Sequence, residues 1–164
     1  MPKGSRRVRR LPAVFLLLAL AFTAGAAPAA AGTDADHVID AARAQLGDPW
    51  VAGMLGPNAF DCSGLVWFAF KRAGVTQRIG GLPRSADGYW QWFRRHHRAS
   101  RTHGRRGDLV IWGNGKHVGI YLGRGRAISA LNSGVRVHGL HQLTDPFTTF
   151  LHVRWRTPMH GFYL

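Results

Sequence analysis

The chain has 164 residues, of which 22 are Lys or Arg, eight are Asp and none is Glu, so that its formal net charge at pH 7 is +14. This length suffices for one folded domain and excludes an architecture of several large domains. The positive charge favours a polyanionic partner, and the single cysteine excludes an internal disulfide.

The first 31 residues have the pattern of a secretory signal peptide. Basic residues at the start of the chain precede an apolar run over 11–22, and small residues follow over 24–32. The apolar run is shorter than the roughly 20 residues that span a bilayer, so we expect no stable membrane insertion, with a retained anchor as the alternative. The pattern predicts a signal peptide over 1–31 and an exported domain over 32–164, located outside the cell or in the cell wall.

The basic residues of this domain point to an anionic partner. Five of the 22 Lys and Arg residues lie in the first ten positions, which leaves 17 against eight acidic residues. The strongest cluster contains Arg94, Arg95, Arg98, Arg101, Arg105 and Arg106. For an exported protein, the anionic polymers of a cell wall fit this surplus better than nucleic acid does, although a coding bias toward arginine is an alternative explanation. We expect residues 94–106 to bind such polymers.

Helical patterns dominate the first half of the domain. Three segments have the apolar spacing of helices: 34–46, 63–72 and 83–93. Thr33 and Asp36 have the spacing of a capping box before the first helix, and Gly47 follows its end. The Gly- and Pro-rich residues 48–61 predict a structured loop that leads to Cys62, at the start of the second helix.

The second half of the domain contains short β-prone runs separated by Gly: 108–112, 117–122, 126–131, 135–138 and 150–156. The Gly-Arg-Gly triplet over 123–125 predicts a hairpin connection between two of them. Helices followed by antiparallel strands predict an α+β fold.

Cys62 is the strongest candidate for a chemically active side chain. A lone thiol in an exported protein is an intermolecular link, a reactive group or a buried inert residue. Its position at the N-terminal end of a predicted helix favours the thiolate, because unpaired backbone N–H groups and the helix dipole stabilise negative charge there. The small residues Ser63 and Gly64 allow a tight turn and leave room for a substrate. These features predict a cysteine nucleophile.

His117 is the candidate base among nine histidines. It opens the apolar run 117–122, where a polar imidazole requires a partner or a function. A histidine that accepts the thiol proton and later delivers it to a leaving amine would complete a Cys–His hydrolase. A histidine with a purely structural hydrogen bond is the alternative that the residues alone leave open.

Four segments resemble blocks of the NlpC family of cell-wall peptidases, in the same order and at similar spacing. They are 61–66 (Asp-Cys-Ser-Gly-Leu-Val), 82–85 (Leu-Pro-Arg-Ser), 106–110 (Arg-Gly-Asp-Leu-Val) and 117–123 (His-Val-Gly-Ile-Tyr-Leu-Gly). The resemblance covers residues 34–156. It implies a papain-like α+β fold in which N-terminal helices pack on a central antiparallel sheet.

The resemblance also implies a Cys–His hydrolase that cleaves the stem peptides of peptidoglycan, commonly between D-glutamate and diaminopimelate. By this resemblance Cys62 attacks the carbonyl, and His117 acts first as base and then as acid. Asp61 and Ser63, on either side of the nucleophile, help to position the substrate peptide. No metal and no organic cofactor is implied.

Two positions depart from the family pattern. The family usually has a histidine twelve residues beyond the catalytic histidine, where this chain has Ser129. Ser129 is therefore the implied third residue of the site, although the sequence leaves three other candidates open: Asn132, His138 and His141. Trp50 stands where the family has a tyrosine that helps to build the oxyanion hole, and its indole N–H is a donor from a different position.

These departures keep two other functions open. Ser129 and Trp50 favour a catalytically weak or inactive relative that binds the cell wall, whereas Cys62 and His117 favour an enzyme. An amidase or acyltransferase that acts on another amide is the third candidate.

Overall fold

In the part of the chain that the structure describes, three α-helices come first and six strands follow. The computed structural model describes residues 33–155, so the predicted signal peptide over 1–31 lies outside the described residues. The helices are α1 (Asp34–Arg43), α2 (Cys62–Arg72) and α3 (Ala86–Arg95), with a 3-10 helix over Thr76–Ile79. The strands are β1 (Ala99–Ser100), β2 (Leu109–Trp112), β3 (His117–Gly123), β4 (Arg126–Leu131), β5 (Gly134–Gly139) and β6 (Phe147–Leu151). Among the described residues, no helix is both long and apolar enough to cross a membrane.

The six strands form one sheet in the order β1-β6-β2-β3-β4-β5, and every neighbouring pair is antiparallel. Strands β2 to β5 are neighbours in chain order, as expected for short connections. Strand β6 returns to the free edge of β2, so that β2 and β3 lie in the middle of the sheet. This arrangement confirms the predicted α+β fold, with N-terminal helices packed on a central antiparallel sheet.

Both faces of the sheet are buried, and β2 contributes to both. Leu109 and Ile111 pack in the core that the sheet forms with the helices, whereas Val110 and Trp112 pack in a second cluster on the opposite face. The alternation arises because successive side chains of a strand point to opposite faces. The helices fill their side of the core with apolar residues: Val38, Ile39, Leu65, Val66, Phe70, Tyr89 and Phe93. The four consecutive apolar residues of β2, Leu109–Trp112, therefore fit a central strand that is covered on both faces.

The first helix is shorter than its apolar spacing predicts. Helix α1 ends at Arg43 rather than at residue 46, and Leu46 is 50% exposed. Gly47 adopts a positive φ of 94°, and its backbone N–H donates to the carbonyl oxygen of Val135 (3.0 Å). The chain thus leaves the helix to contact β5, because a tertiary contact outweighs the weak local preference for helix.

Other elements also differ from the predictions. Strand β6 covers Phe147–Leu151 rather than 150–156. Its predicted C-terminal part leaves the sheet because the backbone N–H of Val153 donates to the Asp108 carboxylate (2.9 Å) instead of to a neighbouring strand. Helix α3 begins three residues later than predicted, because Ser85 caps it. The sequence does not predict the two-residue strand β1 or the 3-10 helix, since neither is long enough to carry a periodic apolar pattern.

Candidate active site

Cys62 is the first residue of α2, at the end where the sequence predicts it. Asp61 caps this helix, and one of its carboxylate oxygens accepts hydrogen bonds from the Gly64 backbone N–H (2.6 Å) and the Ser63 hydroxyl (2.9 Å). The other oxygen accepts from the backbone N–H of Gly53 (2.9 Å) in the preceding loop. The Asp61 carboxylate therefore ties the loop to the helix and sets the position of Cys62 between them.

Gly64 is required by the close approach of the preceding loop to α2. A Cβ atom at this position would lie 2.0 Å from the carbonyl oxygen of Met54. The same carbonyl accepts a hydrogen bond from the backbone N–H of Asp61 (2.9 Å). The loop backbone thus occupies the space beside Gly64, and the expectation that this space admits a substrate is wrong.

Cys62 and His117 line one open cavity with a volume of about 500 Å³. The cavity lies where the N-terminal end of α2 meets the start of β3 and the end of β4. The backbone of Val118, the residue after His117, contributes a hydrogen bond that lowers the pKa of the Cys62 thiol. The fold therefore brings to one place the two side chains that the sequence predicts as nucleophile and base. Further lining residues include Trp50, Lys116, Asn132, Ser133 and Asp145.

Burial raises the pKa of the Cys62 thiol above its ordinary value, and the adjacent Asp61 carboxylate adds to this shift. Backbone groups of Val118 and Ser63 lower the pKa, but they do not outweigh burial. The expectation that the helix N-terminus makes this thiol anionic is therefore wrong for the protein in this structure. The reason is that a sulfur anion loses more by leaving water than it gains from the nearby backbone N–H groups.

Burial, with a smaller contribution from the neighbouring His138, lowers the pKa of His117 to about 4, while Asp145 acts in the opposite direction. At neutral pH the imidazole is therefore uncharged and retains a lone pair that can accept a proton. Together with the raised pKa of Cys62, this places a thiol beside a neutral base. Such a pair reacts when proton transfer to the imidazole accompanies attack by the sulfur.

Ser129 lies between two histidines. Its Oγ atom is 2.9 Å from Nε2 of His117 and 2.8 Å from Nε2 of His138. On the far side of the His138 ring, Nδ1 is 3.0 Å from the carbonyl oxygen of Gly139. Ser129 is fully buried and His138 is 8% exposed. Ser129 therefore contacts His117 directly, and the hydrogen bonds that link His138 to His117 run through Ser129.

The other two candidates for the third residue lie elsewhere. Asn132 lines the cavity, but no hydrogen bond joins it to His117 among the described residues. His141 is exposed and packs edge-on against Phe147, with ring centroids 5.7 Å apart. The pairing of β4 with β5 selects His138, because its Cα partner is Ala127, two residues before Ser129. A side chain at this diagonal position on the same face is within reach of Ser129.

Trp112 packs against both histidines, a role that no local sequence pattern predicts. Its ring centroid is 5.5 Å from that of His117 and 5.4 Å from that of His138. Gly119 makes room for this arrangement, since a Cβ atom there would lie 2.9 Å from the Cβ of Ser129 and 3.2 Å from the Trp112 ring. A glycine inside an apolar strand is the sequence signal for such close packing.

Of the residues predicted to contact the substrate, Trp50 is exposed in the cavity, whereas Asp61 and Ser63 are engaged in hydrogen bonds within the protein. Trp50 lines the same cavity as Cys62 and is 38% exposed, so it is accessible to a bound peptide. Asp61 and Ser63 bond to each other, and Ser63 is buried. Their hydrogen bonds organise the first turn of α2, which places the thiol.

A second cleft of about 1110 Å³ is lined partly by basic side chains of residues 94–106. Arg106 pairs with Asp36 at its rim (2.9 Å). The prediction that Arg98 is available to an anionic polymer is wrong. Its guanidinium is half-buried and donates to the carbonyl oxygens of His152 (2.9 Å) and Arg78 (3.0 Å). The exposed arginines of this segment that have no carboxylate partner within residues 33–155 are Arg94, Arg95, Arg101 and Arg105.

Comparison with known proteins gives a family and named relatives. The profile of the NlpC/P60 family matches residues 47–154. Over 123 residues the chain is 37% identical to a protein of Corynebacterium glutamicum named probable endopeptidase, and the match covers 74% of this chain and 54% of that protein. The chain therefore spans about half the length of this relative.

Two solved structures from Mycobacterium tuberculosis are similar to this fold. The peptidoglycan hydrolase RipB is 30% identical with a TM-score of 0.57, and the match covers 74% of this chain and 65% of that chain. RipD is 28% identical with a TM-score of 0.57, and the match covers 75% of this chain and 98% of that chain. RipD is described as a non-catalytic NlpC/p60 domain protein adapted to a peptidoglycan-binding function.

The family profile and the fold agree with the resemblance drawn from the sequence. The profile spans the Cys62 block, the His117 block and the Ser129 position. The neighbours in structure share the α+β, papain-like arrangement of helices on an antiparallel sheet. The chain belongs to the NlpC/P60 family.

Proposed function

We propose that the protein is an exported cysteine peptidase that cleaves stem peptides of peptidoglycan, with Cys62 as nucleophile and His117 as base. The observation that carries this proposal is the open cavity that both side chains line. Family membership supports it, since relatives are named endopeptidases and one neighbour in structure is described as a peptidoglycan hydrolase. Cys62 is partly exposed and lines this cavity, in keeping with access for a peptide.

The proposed reaction has two steps. The Cys62 sulfur attacks the carbonyl carbon of the scissile amide while His117 accepts the thiol proton. The C–N bond then breaks, and the imidazolium delivers its proton to the leaving amine, which leaves a thioester on Cys62. In the second step His117 takes a proton from water, the hydroxide attacks the thioester, and the thiol regains a proton as the carboxylic acid product departs. The indole N–H of Trp50, which lines the same cavity, is a donor available to the oxyanion or the substrate.

The bond that we propose is the one between D-glutamate and diaminopimelate. Both of these residues carry charged groups besides the scissile amide. The cavity contains side chains of both signs, since Lys116 and Asp145 lie on its wall as an ion pair (3.7 Å), and Asn132 adds an uncharged donor and acceptor. A zwitterionic stem peptide suits this lining better than an apolar peptide does.

Product analysis tests the proposal directly. The purified protein is incubated with soluble disaccharide peptides from peptidoglycan, and the products are identified by mass spectrometry. We expect the disaccharide still carrying alanyl-glutamate, and a separate peptide that begins with diaminopimelate. Cys62→Ser, which preserves the shape of the site, is the matched control and should give neither product. Equal product from Cys62→Ser, or none from the folded wild type, would remove the peptidase proposal, and release of an intact stem peptide from the sugar would show an amidase instead.

A non-catalytic wall-binding protein is the second candidate function. Two observations favour it: the position of the usual third histidine holds Ser129, and RipD, a neighbour in structure, is described as non-catalytic. The two candidates differ in one measurable respect. A binding protein sediments with isolated walls and yields no new muropeptides, and Cys62→Ser leaves both results unchanged.

Export and electrostatic attachment to the wall complete the proposal. The basic and apolar pattern over 1–31 supports export, and cell-wall substrates lie outside the membrane. We propose that the exposed arginines of residues 94–106 attach the enzyme to anionic wall polymers. Arg94, Arg95 and Arg105 carry charge that no carboxylate of the described residues neutralises, and so they are available to such a polymer.

A further inference from the structure

The hydrogen bonds behind His117 have a defined direction. The Nδ1 atom of His138 lies 3.0 Å from a carbonyl oxygen, that of Gly139, which can only accept a hydrogen bond. Nδ1 of His138 must therefore carry a proton. Burial lowers the pKa of His138, so the ring is neutral near pH 7 and its other nitrogen, Nε2, is an acceptor.

The donor and acceptor roles at His138 also fix those of Ser129 and His117. Because Nε2 of His138 is an acceptor, the Ser129 hydroxyl donates its proton to it across 2.8 Å. The Ser129 oxygen then accepts from Nε2 of His117, 2.9 Å away, and this nitrogen must carry the proton. In the neutral His117 ring the lone pair is left on Nδ1, which becomes the ring atom able to accept the thiol proton of Cys62.

We infer that His138 is a positioning residue of this active site, which acts through Ser129 to hold His117 in the Nε2-protonated tautomer. The catalytic consequence rests on the proposed peptidase function, whereas the tautomer itself does not. A serine alone cannot select the tautomer, because a hydroxyl can donate to a ring nitrogen or accept from it equally well. The carbonyl of Gly139 fixes which nitrogen of His138 is protonated, and His138 thereby makes the Ser129 hydroxyl a donor to it.

The packing leaves little freedom for another arrangement. Ser129 is fully buried, and Trp112 lies against both imidazole rings, with centroid distances of 5.5 Å and 5.4 Å. If the acceptor on residue 138 is removed, the ring nitrogen that remains within hydrogen-bond distance of the Ser129 hydroxyl is Nε2 of His117. A buried hydroxyl without an acceptor is costly, so we expect it to donate there and to reverse the tautomer. The proton of His117 then resides on Nδ1, and the lone pair needed by the thiol is lost.

Nitrogen NMR tests the tautomer without reference to activity. The full protein is labelled with ¹⁵N-histidine, and long-range ¹H–¹⁵N correlations are recorded at pH 7, with His117 assigned by its absence in His117→Gln. We expect Nε2-protonated His117 in the wild type and in His138→Gln, whose amide oxygen restores the acceptor. We expect Nδ1-protonated His117 in His138→Phe, and in His138→Leu as a second variant if the phenylalanine is not accommodated. An unchanged tautomer in the folded variants, or an Nδ1-protonated ring in the wild type, would overturn the inference.

Kinetics on muropeptides tests the consequence. We expect His138→Phe to lower kcat about tenfold or more with little change in KM, and His138→Gln to stay near the wild type. Adding Ser129→Ala to His138→Phe should raise kcat again, because this removes the hydroxyl that stabilises the Nδ1-protonated tautomer of His117. A purely structural role for His138 predicts further loss in the double variant, and that result would overturn the inference. If the wild type cleaves nothing while the NMR result holds, the peptidase proposal fails and the hydrogen-bond assignment stands.

Discussion

At Cys62 two opposing effects act on the ionisation of the thiol. The N-terminal end of α2 stabilises negative charge, whereas burial and the Asp61 carboxylate destabilise it, and the net result is a raised pKa. Burial acts on His117 in the corresponding way and lowers its pKa to about 4. Both shifts favour the uncharged forms. We therefore expect the resting protein to contain a thiol and a neutral imidazole rather than a thiolate–imidazolium pair.

Alkylation of Cys62 measures this ionisation state, since the chain has one cysteine. We predict that the rate of reaction with iodoacetamide rises about tenfold per pH unit between pH 6 and 8, without a plateau, because the thiolate is the reacting form and the thiol pKa lies above this range. Intact-mass spectrometry follows the reaction. The same chain in urea is the control and should react faster at each pH, because its thiol is solvated. A plateau from pH 5 to 8 in the folded protein would instead demonstrate an ion pair.

Among the helices, α2 has the cap with most direct bearing on the site. The Asp61 carboxylate holds the backbone N–H groups of Gly64 and Gly53 and the hydroxyl of Ser63. Helix α3 begins with a simpler cap, in which the Ser85 hydroxyl accepts from the backbone N–H of Gly88 (3.1 Å). The two caps allow stability and positioning to be separated.

We predict that Asp61→Ala lowers the free energy of unfolding by about 1–2 kcal/mol, as expected for a lost cap, and lowers kcat by about tenfold to a hundredfold. The second effect follows because the cap seats Cys62 at the cavity. Asp61→Asn, which retains one acceptor oxygen, should fall between the wild type and Asp61→Ala. Urea denaturation and muropeptide cleavage provide the two measurements.

Ser85→Ala is the matched control for this prediction. It removes the cap of α3 and should lower the free energy of unfolding by about 1 kcal/mol while kcat stays unchanged. If Asp61→Ala reduced kcat no more than Ser85→Ala, the α2 cap would have only a structural role.

For the whole molecule, buried histidines make stability depend on pH. The pKa of His117 is about 4 in the folded protein and about 6.5 when unfolded, so between these values the unfolded chain binds more protons than the folded chain. The contribution of His117 is therefore complete above pH 6.5 and is lost as the pH falls toward 4. His138, whose pKa is also lowered, acts in the same direction.

We predict that the free energy of unfolding falls by about 2–3 kcal/mol from pH 7 to pH 4.5 because of His117 alone. His117→Gln should remove this part of the dependence, as measured by urea denaturation at constant ionic strength. His141→Gln, at an exposed position, is the control and should behave as the wild type does. An equal acid loss in His117→Gln and wild type would show that the buried imidazole is not the cause.

The arginines of residues 94–106 act over a longer range than any single contact. We predict that binding of the protein to isolated walls weakens steeply as NaCl rises from 50 to 500 mM, because salt screens exposed charges. Replacing Arg94, Arg95 and Arg105 by Gln should weaken binding at low salt by about a hundredfold, at about 1 kcal/mol for each charge near an anionic surface. Cosedimentation measures both effects.

The control is a second triple variant, which removes three positive charges outside residues 94–106. Arg43, Arg72 and Arg124 are exposed, and their replacement by Gln should leave wall binding largely intact. Equal loss in the two variants would mean that net charge alone, rather than the arginines of residues 94–106, holds the protein to the wall.

The sequence by itself determined the fold class, the order of the main elements and the two side chains that we propose as nucleophile and base. Apolar spacing is a local property, so it identified three helices and five strands of the sheet with errors at their ends, but it missed the two-residue strand β1 and the short 3-10 helix. The blocks around Cys62 and His117 identified the family because each contains the residue types that its local backbone requires, such as Gly64 against the loop. These features depend on neighbours along the chain.

The tertiary structure decided the partners of His117 and the ionisation of the site. Asn132, His138 and His141 are all close to Ser129 in sequence, and the register of β4 against β5 selects His138. The pKa values of Cys62 and His117 depend on how much water the helices, the loop and the sheet together exclude. Both outcomes arise from contacts between segments far apart in the chain, which no local pattern encodes.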